Sequence, residues 1–399
     1  MTEFYPPDYA ATGQLIDELA RSLECNGWDV DVFTSQPGYA FDQQQADKKQ
    51  QIGSLTIKRS SSARFIPSRI RGKAINGLIF FIRSLTHTLW HRNNQDLLLV
   101  TTAPPFLPIL AYLNKLFCNK SYVCLIYDLY PDVLQELNIL PAHHWLVRCW
   151  IGINKLVWRN AQSVIVLSTT MKQRILNHSP GLKTPIHVIH NWIDVEKIYP
   201  VAKADNWFIR ANNLPDKFTV VYSGNLGRCH DLETIMEAAR LLKEKAVQFV
   251  FIGGGAKVSY CQQEVQAHQL SNCTFLPYQD KKDLPFSLSS GDLSLVSIAE
   301  GMEGVVVPSK VYGMLAVGRP IAAICEENSY IRSMCDQGQF GQCFNNGDGE
   351  NLANFILDLA KDQNKAQIMG QNARNYVEQN FTADIITTKY REVLTSALN

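Results

Sequence analysis

Residues 292–324 read DLSLVSIAEGMEGVVVPSKVYGMLAVGRPIAAI. The apolar run 293–298 predicts a buried strand, the polar segment after it a loop, and the stretch that follows Pro308 a short helix ending at Gly318. The apolar run 320–324 predicts the next strand. In an open parallel sheet, ligands bind in the crevice beyond the carboxyl ends of the strands. We therefore expect the loop of this stretch to carry the chemistry.

The composition is that of a folded protein with more than one domain. The chain has 399 residues, of which 46% are hydrophobic and 19% charged, and its formal net charge is +1. This length suggests two or three domains. The ten cysteines form no CxxC pair and no Cys/His group at zinc spacing, which favours a reducing compartment. Without a signal peptide or a run of about eighteen apolar residues, we expect a cytoplasmic protein, peripheral on the inner face of the membrane if it binds one.

Helices and strands alternate in both halves of the sequence. The alternation predicts an α/β fold of two Rossmann-like domains that face each other across a crevice. We place the first domain at residues 1–200, the second at 201–380 and a last helix at 381–399. The first helix leaves barely enough residues for a strand before it, so we expect the first strand to be truncated. Residues 40–55 are polar and predict a loop.

A second glycine-containing turn, YSGNLGRCHD at residues 222–231, joins a buried strand to a helix. Its glycines let backbone N–H groups approach an anion, and Arg228 could hold a phosphate in a bidentate contact. Taken alone, such a turn is more often a tight turn with a solvated arginine. Ser309 and Lys310 add N–H donors and a cation at the start of another predicted helix. Two anion sites on one sheet edge fit the diphosphate of a sugar nucleotide.

Three carboxylates are candidates for the chemistry. Glu300 and Glu303 lie in the loop of residues 292–324, and Asp128 follows an apolar strand of the first half. A carboxylate can bind sugar hydroxyls or stabilise an oxocarbenium-like centre, and Asp128 could accept a proton or orient an acceptor hydroxyl. A solvated acidic loop, or a cap for Asp128, explains them equally well. The triplet 253–255, GGG, favours a close backbone passage over dinucleotide binding.

A basic block lies in the first half. Residues 48–95 contain ten Lys and Arg and no Asp or Glu, and the segment from Arg69 to Arg92 has a helical pattern. This helix could lie on an anionic membrane surface. A core helix with solvated charged ends explains it at least as well. Nucleic-acid binding is the weakest interpretation of this basic block, because no recognisable binding motif accompanies it.

Four motifs together resemble one family. YPPDYAATGQ at residues 5–14, NWID at 191–194, YSGNLGR at 222–228 and EGVVVPSKVYGMLAVGRP at 303–320 are similar to those of the retaining glycosyltransferases of family four, in the colanic-acid and O-antigen branch. The resemblance implies a GT-B fold whose last helix crosses back to the first domain. It also implies a nucleotide-sugar donor bound by the second domain, an acceptor bound by the first, and transfer without a metal or another cofactor.

By the same likeness, Gly13 lies in a glycine loop that faces the donor phosphates, Arg228 and Lys310 lie near the diphosphate, and Glu303 lies near the donor sugar. The predicted catalytic residues are Asp128 and Glu303. The predicted donor-binding residues are Gly13, Gly224, Asn225, Arg228, Glu300, Ser309 and Lys310. The sequence departs from the family at Gly313 or Val311, one of which takes the place of the second motif glutamate. His230 stands where the family carries a lysine.

These observations predict a glycosyltransferase of the hexosyltransferase or N-acetylhexosaminyltransferase type. Its donor would be a nucleoside-diphosphate sugar, and its acceptor a glycan or polyprenyl-linked glycan in cell-surface polysaccharide synthesis. Two alternatives stay open. A sugar-nucleotide epimerase could use a similar architecture, because fold does not determine function. A catalytically inactive partner subunit would explain the missing glutamate and the stunted first strand.

Overall fold

The computed structural model describes residues 1–8, 11–37, 46–60, 70–90 and 96–398, with side chains in the helix 70–90 described from residue 75. Arg69 and Arg92, the ends of the predicted membrane segment, lie outside the described residues. The chain divides into two compact units: a first unit of residues 1–191 with 383–399, and a second unit of residues 192–382.

The first unit alternates between helices and strands as predicted. Its elements are α1 (Ala11–Cys25), β1 (Val30–Ser35), β2 (Lys49–Ile52), β3 (Leu55–Ser60), α2 (Ile70–Trp90), β4 (Leu98–Thr101), α3 (Leu107–Cys118), β5 (Tyr122–Ile126), α4 (Asp132–Glu136), α5 (Trp145–Asn160), β6 (Ser163–Val166), α6 (Thr169–His178) and β7 (Ile186–Val188). The strands form two sheets, in the orders β1-β3-β2 and β4-β5-β6-β7. All pairs are parallel except β2 with β3.

The strand β2 corrects the prediction of a loop over residues 40–55 in its described part, residues 46–55, whereas residues 40–45 lie outside the described residues. It pairs with β3 in an antiparallel hairpin, with Lys49 opposite Lys58 and Ile52 opposite Leu55. The hairpin turns at Gly53, whose φ of +56° lies in the left-handed region that glycine adopts readily. Most side chains of β2 are exposed. A polar edge strand lacks the apolar alternation by which strands are recognised, so the pattern predicted a loop.

Residues 1–3 occupy the place where the first strand was expected. Met1 donates its amino group to the Leu99 carbonyl at 2.8 Å and accepts from the Thr101 N–H at 3.2 Å. On the other side, Thr2 donates to the Phe33 carbonyl at 3.2 Å. The segment therefore hydrogen-bonds to both β1 and β4 and connects the two sheets of the first unit.

The second unit contains one parallel sheet with helices around it. Its elements are α7 (Trp207–Ala211), β8 (Phe218–Asn225), α8 (Glu233–Leu241), β9 (Val247–Gly254), α9 (Val258–His268), β10 (Cys273–Leu276), α10 (Leu284–Leu288), β11 (Leu293–Ser297), α11 (Lys310–Ala316), β12 (Ile321–Ile324), α12 (Tyr330–Gly338), β13 (Gly341–Phe344), α13 (Gly349–Lys361) and α14 (Gln363–Asn380). The strand order is β10-β9-β8-β11-β12-β13.

This order creates a switch point in the second unit. The chain builds outward from β8 through β9 to β10 on one side, and from β11 through β12 to β13 on the other. The loops that follow β8 and β11 therefore leave the sheet side by side and run in opposite directions. Ligands of open parallel sheets bind at such a point. Both loops were singled out by the sequence.

The last helix, α15 (Ala383–Leu398), belongs to the first unit, as the predicted fold requires. It contacts α1 and β5, and Ser22 donates its hydroxyl to the Thr387 hydroxyl at 2.9 Å. Ile386, Tyr390 and Leu394 are buried along one side of the helix. None of the helices in the described ranges combines the length and the apolar character needed to cross a bilayer.

Candidate active site

Two loops of the second unit form the candidate site. We call residues 224–231 the β8 loop and residues 298–309 the β11 loop. The Ala299 N–H donates to the Cys229 carbonyl at 2.9 Å. The amide of Asn346 donates both to Asp231 Oδ2, at 2.7 Å, and to the Ile298 carbonyl, at 2.9 Å. These contacts hold the two loops to each other, so their side chains form one site.

Lys310 is the central cation of this site. Its Nζ donates to the Tyr222 hydroxyl at 2.5 Å and to the Asn225 carbonyl at 3.3 Å, and lies 3.9 Å from the centroid of the Tyr222 ring. These partners are neutral. Burial therefore lowers the pKa of Lys310 from 10.5 to about 7, because the ammonium loses hydration without gaining an opposite charge. A phosphate bound here would supply that charge.

His230 is a neutral neighbour of Lys310. Burial, and then the positive charge of Lys310, lower the pKa of His230 to about 3. Its Nδ1 lies 2.8 Å from the Ser297 carbonyl, which can only accept, so Nδ1 carries the proton. His230 therefore supplies no cation where the family carries a lysine. Lys257 contributes a positive charge nearby, since its Nζ contacts the His230 carbonyl and Glu233 Oε2, both at 2.8 Å.

Glycines let the backbone of the β8 loop pass close to its neighbours. A Cβ atom at Gly253 would lie 2.1 Å from the Gly224 carbonyl oxygen, and one at Gly255 would lie 2.5 Å from the Leu226 carbonyl oxygen. Gly224, Gly253 and Gly255 also have φ values of +123°, +137° and +146°. The predicted close backbone passage at residues 253–255 is confirmed. Gly224 itself faces Lys310, whose Cε would lie 3.5 Å from an added Cβ atom.

The remaining predicted residues of the second unit differ in their exposure. Asn225, Arg228, Glu300 and Ser309 are exposed, whereas Glu303 is only 3% exposed. Ser309 is the N-cap of α11 but makes no side-chain capping bond. The helix begins at Lys310, two residues after Pro308. Burial raises the pKa of the Tyr330 phenol, and the nearby charge of Glu303 contributes a smaller part of the shift.

The missing motif glutamate corresponds to one of two positions, Val311 or Gly313, and these two positions differ in burial. Val311 is fully buried in the core. Gly313 is partly exposed, and the nearest atom to an added Cβ atom there would be Leu288 Cδ1, at 3.4 Å. A side chain at position 313 would therefore pass α10, whereas one at position 311 enters the core. This difference in burial favours Gly313 over Val311 as the place of the missing glutamate.

The last two predicted residues, Asp128 and Gly13, lie in the first unit. Asp128 follows β5, and its N–H donates to Thr102 Oγ1 at 3.3 Å, beside the Tyr127 N–H at 3.0 Å. Burial raises the pKa of Asp128 to about 6. Gly13 lies in the first turn of α1, where a Cβ atom would be 2.8 Å from the Phe4 carbonyl carbon. Its visible role is this close backbone approach.

The sequence pattern assigns no role to Tyr222 or Tyr278. Tyr222 is part of the YSGNLGR motif, but its approach to Lys310 joins positions 88 residues apart. Tyr278 is 62% exposed and donates to the Gly254 carbonyl at 3.1 Å, with its ring beside the glycine triplet. A tyrosine just after a strand is too common to be a signal. Among the described residues, no three His, Cys, Asp or Glu side chains come together as a metal site would require.

Two protein families match the chain, one on each half. The pattern described as "Glycosyltransferase Family 4" matches residues 12–197, and the one described as "Glycosyl transferases group 1" matches residues 205–376. The second match includes both loops of the candidate site.

Curated relatives resemble the chain over most of its length. It is 30% identical over 349 residues to the putative colanic acid biosynthesis glycosyl transferase WcaI of Escherichia coli K12, covering 83% of this chain and 84% of that protein. It is 26% identical over 303 residues to the probable glycosyltransferase WbjE of Pseudomonas aeruginosa, covering 74% of this chain and 73% of that protein.

Solved structures share the fold at low identity. Sucrose-phosphate synthase from Thermosynechococcus elongatus superposes with a TM-score of 0.76 at 19% identity, over 97% of this chain and 94% of that one. HepE of Anabaena, solved with UDP, superposes with a TM-score of 0.74 at 14% identity, over 99% of this chain and 100% of that one. These likenesses confirm the predicted GT-B fold.

Proposed function

This chain belongs to the group 1 and family 4 glycosyltransferases and is itself a glycosyltransferase; from that membership we propose that it moves a sugar, with retention, from a nucleoside-diphosphate sugar to a glycan. One observation carries the donor assignment. Lys310 is a desolvated cation with neutral partners, and it lies against a glycine-containing loop at the switch point of a parallel sheet. An anion with several oxygens satisfies both features.

In this proposal the second unit binds the donor diphosphate. Lys310 contacts a phosphate oxygen from the inner side of the site, and the exposed guanidinium of Arg228 reaches the phosphates from the β8 loop. Their positive charges stabilise the nucleoside diphosphate as it leaves with the electrons of the broken sugar C1–O bond. Because side chains supply this charge, the proposal includes no metal. HepE, whose structure contains UDP, supports a nucleotide donor by analogy of fold.

Glu303 and Asp128 are the proposed catalytic residues. Glu303 is buried in the β11 loop, and in this proposal its carboxylate stabilises the positive charge that develops at the sugar C1 carbon. Asp128, with a pKa of about 6, is ionised at neutral pH and can orient the acceptor hydroxyl or accept its proton. The acceptor oxygen forms the new bond to C1.

The proposed acceptor is a glycan, carried on a polyprenyl lipid, in cell-surface polysaccharide synthesis. The name of the relative WcaI, a putative colanic acid biosynthesis enzyme, supports this class of acceptor. A cytoplasmic enzyme that meets such an acceptor works at the inner face of the membrane. The basic segment from Arg69 to Arg92, of which α2 is the described part, is one proposed contact with that membrane.

Sugar transfer can be separated from the two alternative functions in one experiment. The protein is incubated with a panel of nucleoside-diphosphate sugars, with and without a polyprenyl-linked acceptor fraction, and both the sugar and the nucleotide are followed. Release of nucleoside diphosphate with a glycosylated lipid, seen only with acceptor, supports the proposal. Conversion of the donor sugar without acceptor indicates an epimerase. If no donor binds, as measured by thermal shift, the protein is a partner subunit and the proposal is wrong.

A further inference from the structure

Helix α5 is apolar on two sides, and the described residues cover only one of them. Val147, Val157 and Trp158 are buried on the inner side, where the Val157 carbonyl accepts from the Tyr122 hydroxyl of β5. On the outer side, Trp145 and Leu156 are 66% and 47% exposed. An ordinary surface helix has a polar outer face. The outer face of α5 is therefore more apolar than the solvent-exposed face of an ordinary surface helix.

The exposed residues of α5 form a continuous stripe. Cys149, Ile153 and Leu156 lie four, eight and eleven residues after Trp145. At this spacing all four residues share one side of the helix. We call these four residues the α5 stripe. Gly152 lies beside them, and no atom of the described part of the chain lies within 4 Å of a Cβ atom added there. The stripe is thus an open apolar surface about three turns long.

Exposed apolar side chains also lie on α3, the helix next to α5, and on α2, the helix next to α3 in the fold. Leu116 and Phe117, at the end of α3, are 62% and 71% exposed, and α3 lies between α5 and α2 and contacts both. On α2, Leu78 and Ile82 are exposed on one side. Among the described residues, the exposed large hydrophobic side chains are concentrated in these helices and the α4–α5 connection, whereas the others lie singly. Exposed apolar side chains concentrated on neighbouring helices are typical of an interaction surface.

Charge indicates which partner covers this surface. None of α2, α3 and α5 contains an Asp or Glu, and residues 137–193 contain neither. Three basic side chains lie along one flank of the α5 stripe: Arg148, Lys155 and Arg159. A second copy of this chain would present the same positive charge and repel it. A surface of anionic lipid headgroups over an apolar interior complements both the charge and the stripe.

We propose that α5, together with Leu116 and Phe117 at the end of α3, seats the first unit on an anionic lipid surface. Trp145, Ile153 and Leu156 enter the interfacial region, and Arg148, Lys155 and Arg159 contact headgroup phosphates. The amphipathic ring of Trp145 is suited to that depth. This site lies outside the segment from Arg69 to Arg92. The proposed function explains why contact with a membrane would be useful, and the proposal rests on it only in that respect. Lipid binding itself is measured without turnover, so the two proposals can fail separately.

The test is co-sedimentation of the full chain with vesicles of phosphatidylcholine alone or mixed with phosphatidylglycerol. We expect binding to the anionic vesicles that weakens with added salt. The apolar variant Trp145→Gln/Ile153→Gln/Leu156→Gln should bind about tenfold more weakly or worse. The charge variant Arg148→Gln/Lys155→Gln/Arg159→Gln should lose about fivefold for each residue. Thermal unfolding checks that each variant is folded.

Matched changes in the second unit provide the controls. Ile368→Gln replaces an apolar side chain that is 54% exposed on α14, and Lys217→Gln/Lys245→Gln/Lys282→Gln removes three exposed positive charges. Both controls should bind vesicles as the wild type does. The proposal is wrong if the wild type does not bind anionic vesicles, or if the α5 variants bind them as well as these controls do. Concentration-dependent self-association that the apolar variant abolishes, without vesicle binding, would assign the stripe to a second copy instead.

Discussion

The ammonium of Lys310 lies 2.5 Å from the Tyr222 hydroxyl and has neutral partners, which lowers the pKa of Lys310 to about 7. A bound diphosphate would raise that pKa again by supplying negative charge. Binding above pH 7 therefore takes up a proton, and donor affinity falls as the pH rises between the two values. The contacts of Lys310 thus predict the sign of the pH dependence that this residue gives to donor binding.

This proton uptake can be measured by titration calorimetry of the nucleoside diphosphate in two buffers of different ionisation enthalpy, at about pH 8. We expect a buffer-dependent heat for the wild type. Lys310→Met should bind more weakly, with a heat that no longer depends on the buffer. An unchanged buffer dependence in Lys310→Met would show that another group takes up the proton.

Arg228 is predicted to contribute a charged hydrogen bond to the donor phosphates. Arg228→Ala should raise donor KM by about 10- to 100-fold, the usual value of such a contact. Arg240→Ala, at the end of α8, removes another exposed arginine of the second unit and should leave donor KM unchanged. Equal donor KM values for the two variants would show that Arg228 does not contact the donor phosphates.

Two glycines near the site, when replaced by alanine, should change the free energy of unfolding in opposite directions. Gly253→Ala places a Cβ atom 2.1 Å from the Gly224 carbonyl oxygen at a φ of +137°, and should lower the free energy of unfolding by about 3 kcal/mol or more. Gly313→Ala places a Cβ atom 3.4 Å from a Leu288 methyl carbon, an ordinary van der Waals contact, inside a helix. It should raise that free energy by about 0.5–1 kcal/mol.

Urea denaturation followed at the transition of the second unit distinguishes the two glycine variants. Loss of stability in Gly313→Ala would mean that α10 cannot adjust at Leu288. Full stability in Gly253→Ala would show that β8 and β9 separate more easily than their close passage suggests.

The sequence predicts the fold of residues 292–324 well because buried strands and a short helix there are bounded by Gly and Pro. β2 was missed because its exposed, polar residues carry no alternation. The chemistry of Lys310 could not be predicted, because its pKa depends on contact with Tyr222, 88 residues away. The α5 stripe was hidden for a similar reason. Periodicity predicts a helix, but it does not say which of two apolar faces the rest of the chain covers.

Asp128 should make the protein less stable at neutral pH. Its folded pKa of about 6 lies above the ordinary value of 3.8, so the folded state holds its proton more tightly than the unfolded state. The cost of ionising the buried carboxyl is absent below pH 3.8, grows between 3.8 and 6, and is complete above 6. Asp128→Asn should therefore unfold at higher temperature than the wild type above pH 6, with the difference vanishing towards pH 4. A difference that is constant with pH would assign it to packing instead.

Glu303 should affect the chemical step more than donor binding. It is 3% exposed in the β11 loop, which the Ala299–Cys229 hydrogen bond ties to the β8 loop. Glu303→Gln keeps the shape but removes the charge that opposes the developing positive charge on the sugar. We expect kcat to fall by about 100-fold or more while the Kd for the donor changes little, because the stabilisation acts in the transition state. Glu327→Gln, an exposed carboxylate after β12, is the matched control and should retain wild-type kcat. A rise in Kd with unchanged kcat would instead make Glu303 a donor-binding residue.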